Sequence, residues 1–272
     1  METDFLRYKN SKIEFRKHGT GNTLLVAFHG FSDKAAIFDI IRPSLEKDFT
    51  LFAISFPYHG ATDWQEGHFT KNDIAEIIQL ILQKEKKERF ALMGYSMGGK
   101  VTLNMIPFFA EKLEKVILLA PDGIKTHPLY DVNALPDWYM NLFKTLLKAP
   151  KLFFKLTKLL YKWRILSKFL YDFTINHFST EQQRKRFFYV SASIKTFKPD
   201  LLKVKQLLNQ QQISTSLFLG KRDEVIPPVV GPIFSEGLER CKVHYLPKGH
   251  LLIDEELNDS ISESIETPTA SL

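Results

Sequence analysis

Three side chains that lie far apart in the sequence, Ser96, Asp223 and His250, have the types and settings of an activated serine. Ser96 is the middle of Gly94-Tyr95-Ser96-Met97-Gly98, between the apolar run Phe90-Ala91-Leu92-Met93 and a helical-looking stretch from Val101 to Phe109. A strand, a tight turn and a helix in that order make a nucleophile elbow, which aims the serine hydroxyl out of a sheet edge. The turn leaves no room for a Cβ at Gly94 or Gly98. It also sets the amide of Met97 at a helix N-terminus, where it can face an oxyanion.

The other two members follow from the ends of later strands. Gly220-Lys221-Arg222-Asp223 places an acid in the loop after a strand, where it can hold an imidazole in one tautomer and stabilise the imidazolium. Asp122, after an earlier strand, competes for that role; Glu224 would point elsewhere. His250, in Pro247-Lys248-Gly249-His250, follows the last strand and is the expected base, with Gly249 allowing a close turn. His29-Gly30-Phe31 directly follows another apolar run, so the Phe31 amide can complete the oxyanion site begun by Met97. His59 lies in a loop before Ser96, and a structural or substrate-lining role suits it better than that of a base.

These residues need a scaffold of strands whose ends meet along one edge. The alternation around Asn10-Ser11 predicts a hairpin over Phe5 to Arg16. Continuous apolar runs at 24–28, 51–54, 90–93 and 115–120 read as strands buried on both faces, and the alternation of strands with helices resumes later with two more, at 213–220 and 243–246. Helical periods lie between them, over 35–45 and from Thr70, whose spacing to Asp73 makes an N-cap. Such alternation predicts an α/β fold with a mostly parallel central sheet flanked by helices. From about Tyr130 to Lys198 the pattern is helical only, which predicts an inserted helical cap. The expected division is 1–122 and 199–266 for the core, 123–198 for the cap and 267–272 for a frayed tail.

Taken together, His29-Gly30-Phe31, Gly94-Tyr95-Ser96-Met97-Gly98, Gly220 to Asp223 and Gly249-His250 resemble the α/β-hydrolases, of the cap-bearing, esterase-like branch. The chain order Ser96, Asp223, His250 is the order of that superfamily. The resemblance implies a serine nucleophile, a triad acid, a general base and an oxyanion hole from the Phe31 and Met97 amides. A serine rather than an aspartate at the elbow argues against the branches with a carboxylate nucleophile. Leu251 after His250 departs from the aromatic residue common in carbon–carbon bond hydrolases of the superfamily. The expected activity is cleavage of a carboxylic ester or thioester through an acyl-enzyme on Ser96. A carbon–carbon hydrolase or lyase with the same triad, or a non-catalytic ligand receptor, are the alternatives.

Composition sets the outer bounds. A chain of 272 residues with 44% hydrophobic content can bury one large core. Its single cysteine, Cys241, excludes an intramolecular disulfide, and no His/Cys cluster has metal-ligand spacing, so no metal or cofactor is expected. The opening residues lack a secretory pattern and no apolar run reaches the length of a membrane span, which predicts a soluble, cytoplasmic protein. The net charge of +6 comes from one segment, 144–186, where eleven Lys and Arg face only Asp172 and Glu181. With no RNA- or DNA-binding signature there, nucleic acid is not an expected partner. In that segment Leu152, Leu156, Leu159, Trp163, Leu166 and Leu170 share one helix face, with Lys148, Lys151, Lys155, Lys158 and Lys162 on an adjoining one and Phe153 and Leu160 widening the apolar side. The expectation is a lid whose apolar face, together with Tyr95, contacts a small apolar acyl substrate, Leu159 and Trp163 among the contacts. Contact with anionic lipid is kept as a secondary alternative.

Overall fold

A computed structural model describes residues 4–124, 149–166 and 168–266. The expected tail and the part of the expected cap at 125–148 lie outside them. Eight strands form one sheet in the order β1-β2-β4-β3-β5-β6-β7-β8. They are β1 (Asp4–Tyr8), β2 (Ser11–His18), β3 (Thr23–Phe28), β4 (Phe49–Ile54), β5 (Phe90–Tyr95), β6 (Leu113–Leu119), β7 (Ser214–Gly220) and β8 (Cys241–Leu246). The predicted hairpin is β1–β2, which joins antiparallel to β4 at one edge; from β4 to β8 every pairing is parallel.

The strands that read as continuous apolar runs occupy the middle because both of their faces are covered. Every residue of β5 is buried, as are the last five of β3. Edge strand β8 carries Lys242 and His244 and is only half-buried. Helix α1 (Lys71–Glu85) begins at Thr70 with a reciprocal capping box to Asp73, as its sequence predicts. Helix α2 (Met97–Phe109) is buried almost all round, from Met97 to Ile106, as expected of a helix enclosed by sheet and neighbours. The stretch Ala35–Ser44 is a 3₁₀ helix rather than the α-helix its period suggests. Pro43 near its end supplies no amide for an α-helical bond.

Between β6 and β7 the described residues form α3 (Pro150–Lys162), α4 (Lys168–Phe178), α5 (Glu181–Ile194) and α6 (Leu201–Gln210). Helices α7 (Val230–Ser235) and α8 (Leu257–Glu266) follow β7 and β8. Phe153 of α3, Phe178 of α4 and Phe187 of α5 make a small apolar cluster of their own, and Phe31, after β3, packs against it. Among the described residues no helix is long and apolar enough to cross a membrane.

The apolar stripe of α3 does not turn inward as expected. The positions that α3 buries are Phe153 and Thr157, while Leu159 is 37% exposed and Trp163 61% exposed. Leu152 and Leu156 are exposed with them. Phe153, one position off the stripe, fills the space against Phe178, so the stripe is turned away from that contact.

Candidate functional site

Strand β5 ends at Tyr95 and α2 starts at Met97, which leaves Ser96 alone to make the turn. Its backbone is held at φ 50° and ψ −115°, a region that costs an L-residue about 1–3 kcal/mol. The turn is fixed on both sides: the Ser96 amide donates to the Leu119 carbonyl at 2.9 Å, and the Ser96 carbonyl accepts from the amides of Gly99 and Asp122, each at 2.9 Å. A Cβ at Gly94 would lie 2.3 Å from Thr102 Oγ1, and one at Gly98 would lie 2.0 Å from the Phe28 carbonyl oxygen. Both glycines are therefore demanded by close approach.

The strain at Ser96 can be measured. Glycine tolerates the conformation, although its freer unfolded chain takes back about 0.4–1 kcal/mol. Ser96→Gly is therefore expected to be more stable than Ser96→Ala by about 1 kcal/mol, with the hydroxyl missing from both. Scanning calorimetry of the pair checks this; an alanine variant as stable as the glycine one would mean that the turn stores no strain.

The chain ends that follow β7 and β8 bring the other two residues to Ser96. Ser96 Oγ lies 2.9 Å from His250 Nε2, and His250 Nδ1 lies 2.9 Å from Asp223 Oδ2. The second Asp223 oxygen, Oδ1, accepts from the amides of Val225 and Ile226, each at 2.8 Å. With its side chain fully buried, this carboxylate is fixed by two backbone donors and one imidazole. His250 with Nδ1–H toward Asp223 leaves Nε2 free to accept from the serine hydroxyl. Glu224 is exposed, as expected. Asp122 is engaged elsewhere: its Oδ2 lies 3.1 Å from the buried Lys100 Nζ and its Oδ1 accepts from the Gly123 amide at 2.6 Å.

Tyr95 corrects an expectation. It is buried rather than open to a substrate, and its hydroxyl donates to the His250 carbonyl at 3.1 Å. Its ring stacks on the imidazole at a centroid distance of 5.9 Å. Burial pushes the phenol well above its usual range, with the negative field of Asp33 and Asp223 adding to it. Tyr95 thus braces the loop that carries His250. Leu159 and Trp163, expected beside the substrate, are the exposed residues of α3 described above.

The turn after β3 is held by two histidines that sequence reasoning did not combine. His29 is fully buried; its Nδ1 donates to the Gly30 carbonyl at 2.6 Å and its Nε2 accepts from the Phe56 amide at 3.0 Å. Only a neutral ring can do both, and burial holds its pKa far below the usual value, with the nearby His59 adding to the effect. His59 Nε2 meets the Phe31 carbonyl at 2.7 Å. Burial lowers that ring to about 4. Two successive carbonyls, of Gly30 and Phe31, are thus tied down by imidazoles from the β3 and β4 ends. The repeated His-Gly at 29–30 and 59–60 was the available signal.

Asp33 was also missed. It lies two residues beyond Phe31, where burial raises its carboxyl pKa while the positive fields of His250 and Arg186 pull it back. Phe187 of α5 reaches over the same turn, with its ring 5.7 Å from that of Phe31. Among the described residues no group of three or more His, Cys, Asp or Glu could hold a metal ion.

The chain belongs to the alpha/beta hydrolase fold family, whose model matches residues 23–257. Over 248 residues it is 23% identical to an uncharacterized hydrolase, YugF, of Bacillus subtilis, covering 90% of this chain and 89% of that one. A serine hydrolase-like protein of Mus musculus is 32% identical over 101 residues, covering 36% of this chain and 32% of its relative. Among solved structures, MGS-M2, an alpha/beta hydrolase enzyme from a Medee basin deep-sea metagenome library, superposes with a TM-score of 0.72 at 16% identity, covering 99% of both chains.

Proposed function

We propose that this chain is a serine hydrolase that cleaves a carboxylic ester or thioester through an acyl-enzyme on Ser96. The observation that carries the reading is the continuous relay from Ser96 Oγ to His250 Nε2 and from His250 Nδ1 to Asp223, at 2.9 Å in each step. In the first half-reaction Ser96 Oγ attacks the substrate carbonyl carbon and passes its proton to His250 Nε2. Asp223 stabilises the imidazolium across Nδ1–H. The carbonyl oxygen becomes an oxyanion, received by the amides of Met97 and Phe31. The first lies at the positive end of α2 and the second in the turn fixed by His29 and His59. Collapse breaks the bond to the leaving alcohol or thiol, which takes the proton from His250. Water then attacks acyl-Ser96 with His250 again as base, releasing the acid and restoring the serine.

The experiment is a stopped-flow assay with nitrophenyl esters and thioesters of graded acyl length. Accumulation of the acyl-enzyme predicts a burst of leaving group that approaches one equivalent of protein, followed by a slower steady rate. Ser96→Ala should show neither phase. Steady release by Ser96→Ala equal to that of the wild type would overturn the assignment. The substrate-length profile then names the acyl group, which the positions of the triad do not encode.

A further inference from the structure

We propose that α3 and the turn after it form a docking surface for an anionic lipid bilayer. The proposal goes beyond the hydrolase reading and stands without it. Helix α3 carries three separate faces. At about 100° per residue, Leu159, Leu152, Trp163, Leu156 and Leu160 fall within an arc of about 100°. All five are exposed, between 37% and 61%. Lys158, Lys151, Lys162 and Lys155 fall in the adjoining arc and are exposed as well. The third face, with Phe153 and Thr157, packs against the rest of the protein. The apolar arc is thus free of the contact that anchors the helix, and the lysines lie beside it.

The turn that ends α3 extends the same surface. Trp163 is the C-cap, and Arg164 takes a left-handed backbone at φ 58°. Ile165 beyond it is 67% exposed. An indole, an isoleucine and four leucines that face water together are more than scattered surface apolar residues.

Charge selects the occupant. From Ala149 to Leu166 the sequence holds five cationic side chains, Lys151, Lys155, Lys158, Lys162 and Arg164, and no acidic one. No ion pair engages these five among the described residues. A helix with one apolar face, a row of lysines beside it and an aromatic residue at its end is built to lie in the plane of a membrane interface. There the leucines enter the acyl boundary and the ammonium groups reach anionic headgroups. Five of the eleven Lys and Arg between residues 144 and 186 lie on this helix and its turn. Three ring contacts, Phe153–Phe178, Phe178–Phe187 and Phe187–Phe31, connect the docking helix to the turn beside Ser96.

The test is co-sedimentation of the full chain with vesicles of phosphatidylcholine, with and without phosphatidylglycerol. Binding is expected only with phosphatidylglycerol present and should weaken as salt rises. Lys155→Glu should lower partitioning by at least roughly fivefold, and reversal of all four lysines should abolish it. Trp163→Ser with Ile165→Ser should weaken binding at low salt, which a purely electrostatic contact would not show. An unchanged melting temperature in each variant keeps misfolding out of the comparison. Wild-type protein that stays in the supernatant with phosphatidylglycerol vesicles would overturn the proposal. So would binding indifferent to the lysine reversals, or a stable dimer in solution that covers Trp163. Neither ester hydrolysis nor its absence enters this readout, so the two proposals fail separately.

Discussion

Asp223→Asn is expected to lower kcat for an activated ester by about 10⁴-fold, the scale seen when a triad acid is made neutral without disturbing its geometry. An asparagine fits the same space, and its carbonyl oxygen can still accept from the amides of Val225 and Ile226 that now hold Asp223 Oδ1. Its amide nitrogen would then face His250 Nδ1 as a donor. That favours the tautomer with the proton on Nε2, which cannot accept from Ser96. The loss should therefore fall on kcat with little change in melting temperature. Asp122→Asn is the informative contrast. Asp122 is bonded to Lys100 and to the Gly123 amide, so its replacement should affect stability more than rate, with a loss of kcat far below that of Asp223→Asn. If the Asp122 variant were the slower enzyme, the relay read from the geometry would be wrong.

Gly98→Ala is expected to be the most damaging change of one methyl group near the site. The new Cβ would lie 2.0 Å from the Phe28 carbonyl oxygen and 2.5 Å from its carbon. Both are backbone atoms of β3, which cannot swing aside, so the start of α2 must move away from the strand. That shift separates the Met97 amide from Phe31, and misplacement on the order of 1 Å costs about 10²-fold in rate. The strain should also lower stability by about 1–3 kcal/mol. Gly249→Ala, beside His250, makes the control. Its nearest neighbour would be the Arg222 carbonyl oxygen at an ordinary 3.7 Å, and its φ is not in the left-handed region. Activity in a continuous ester assay and thermal melting should separate the two; a loss in Gly98→Ala as small as that expected of Gly249→Ala would mean that glycine at 98 is not a packing requirement.

These glycines differ in how much of their role is local. The elbow spacing already forbids a Cβ at Gly98, whereas at Gly249 the sequence predicts only a close turn, and the open space a Cβ would find there is set by long-range packing. The central strands were legible because each is a short apolar run between turn residues, and β3 to β6 match those runs to within about two residues. The capping box of α1 is local chemistry and was legible for the same reason. The stripe on α3 was legible as a stripe, since a helical period fixes which residues share a face. It could not say which of two apolar faces turns inward, and Phe153, not Leu156, took the buried position. Tyr95, expected against the substrate, is the last residue of β5, and that place buries it against the His250 loop. The imidazole ties from His29 and His59 depend on the pairing of β3 with β4, a long-range fact absent from local pattern.

The proposed hydrolase requires that His250 make one hydroxyl of this chain nucleophilic. The most direct measurement is mass spectrometry after treatment of the folded protein with a fluorophosphonate near neutral pH. Displacement of fluoride by Ser96 Oγ should leave a single phosphonyl adduct on the peptide that contains Ser96, and His250→Ala should slow its formation by orders of magnitude. Folded protein that remains unlabelled, or that carries its adduct on another residue, would rule out Ser96 as the nucleophile.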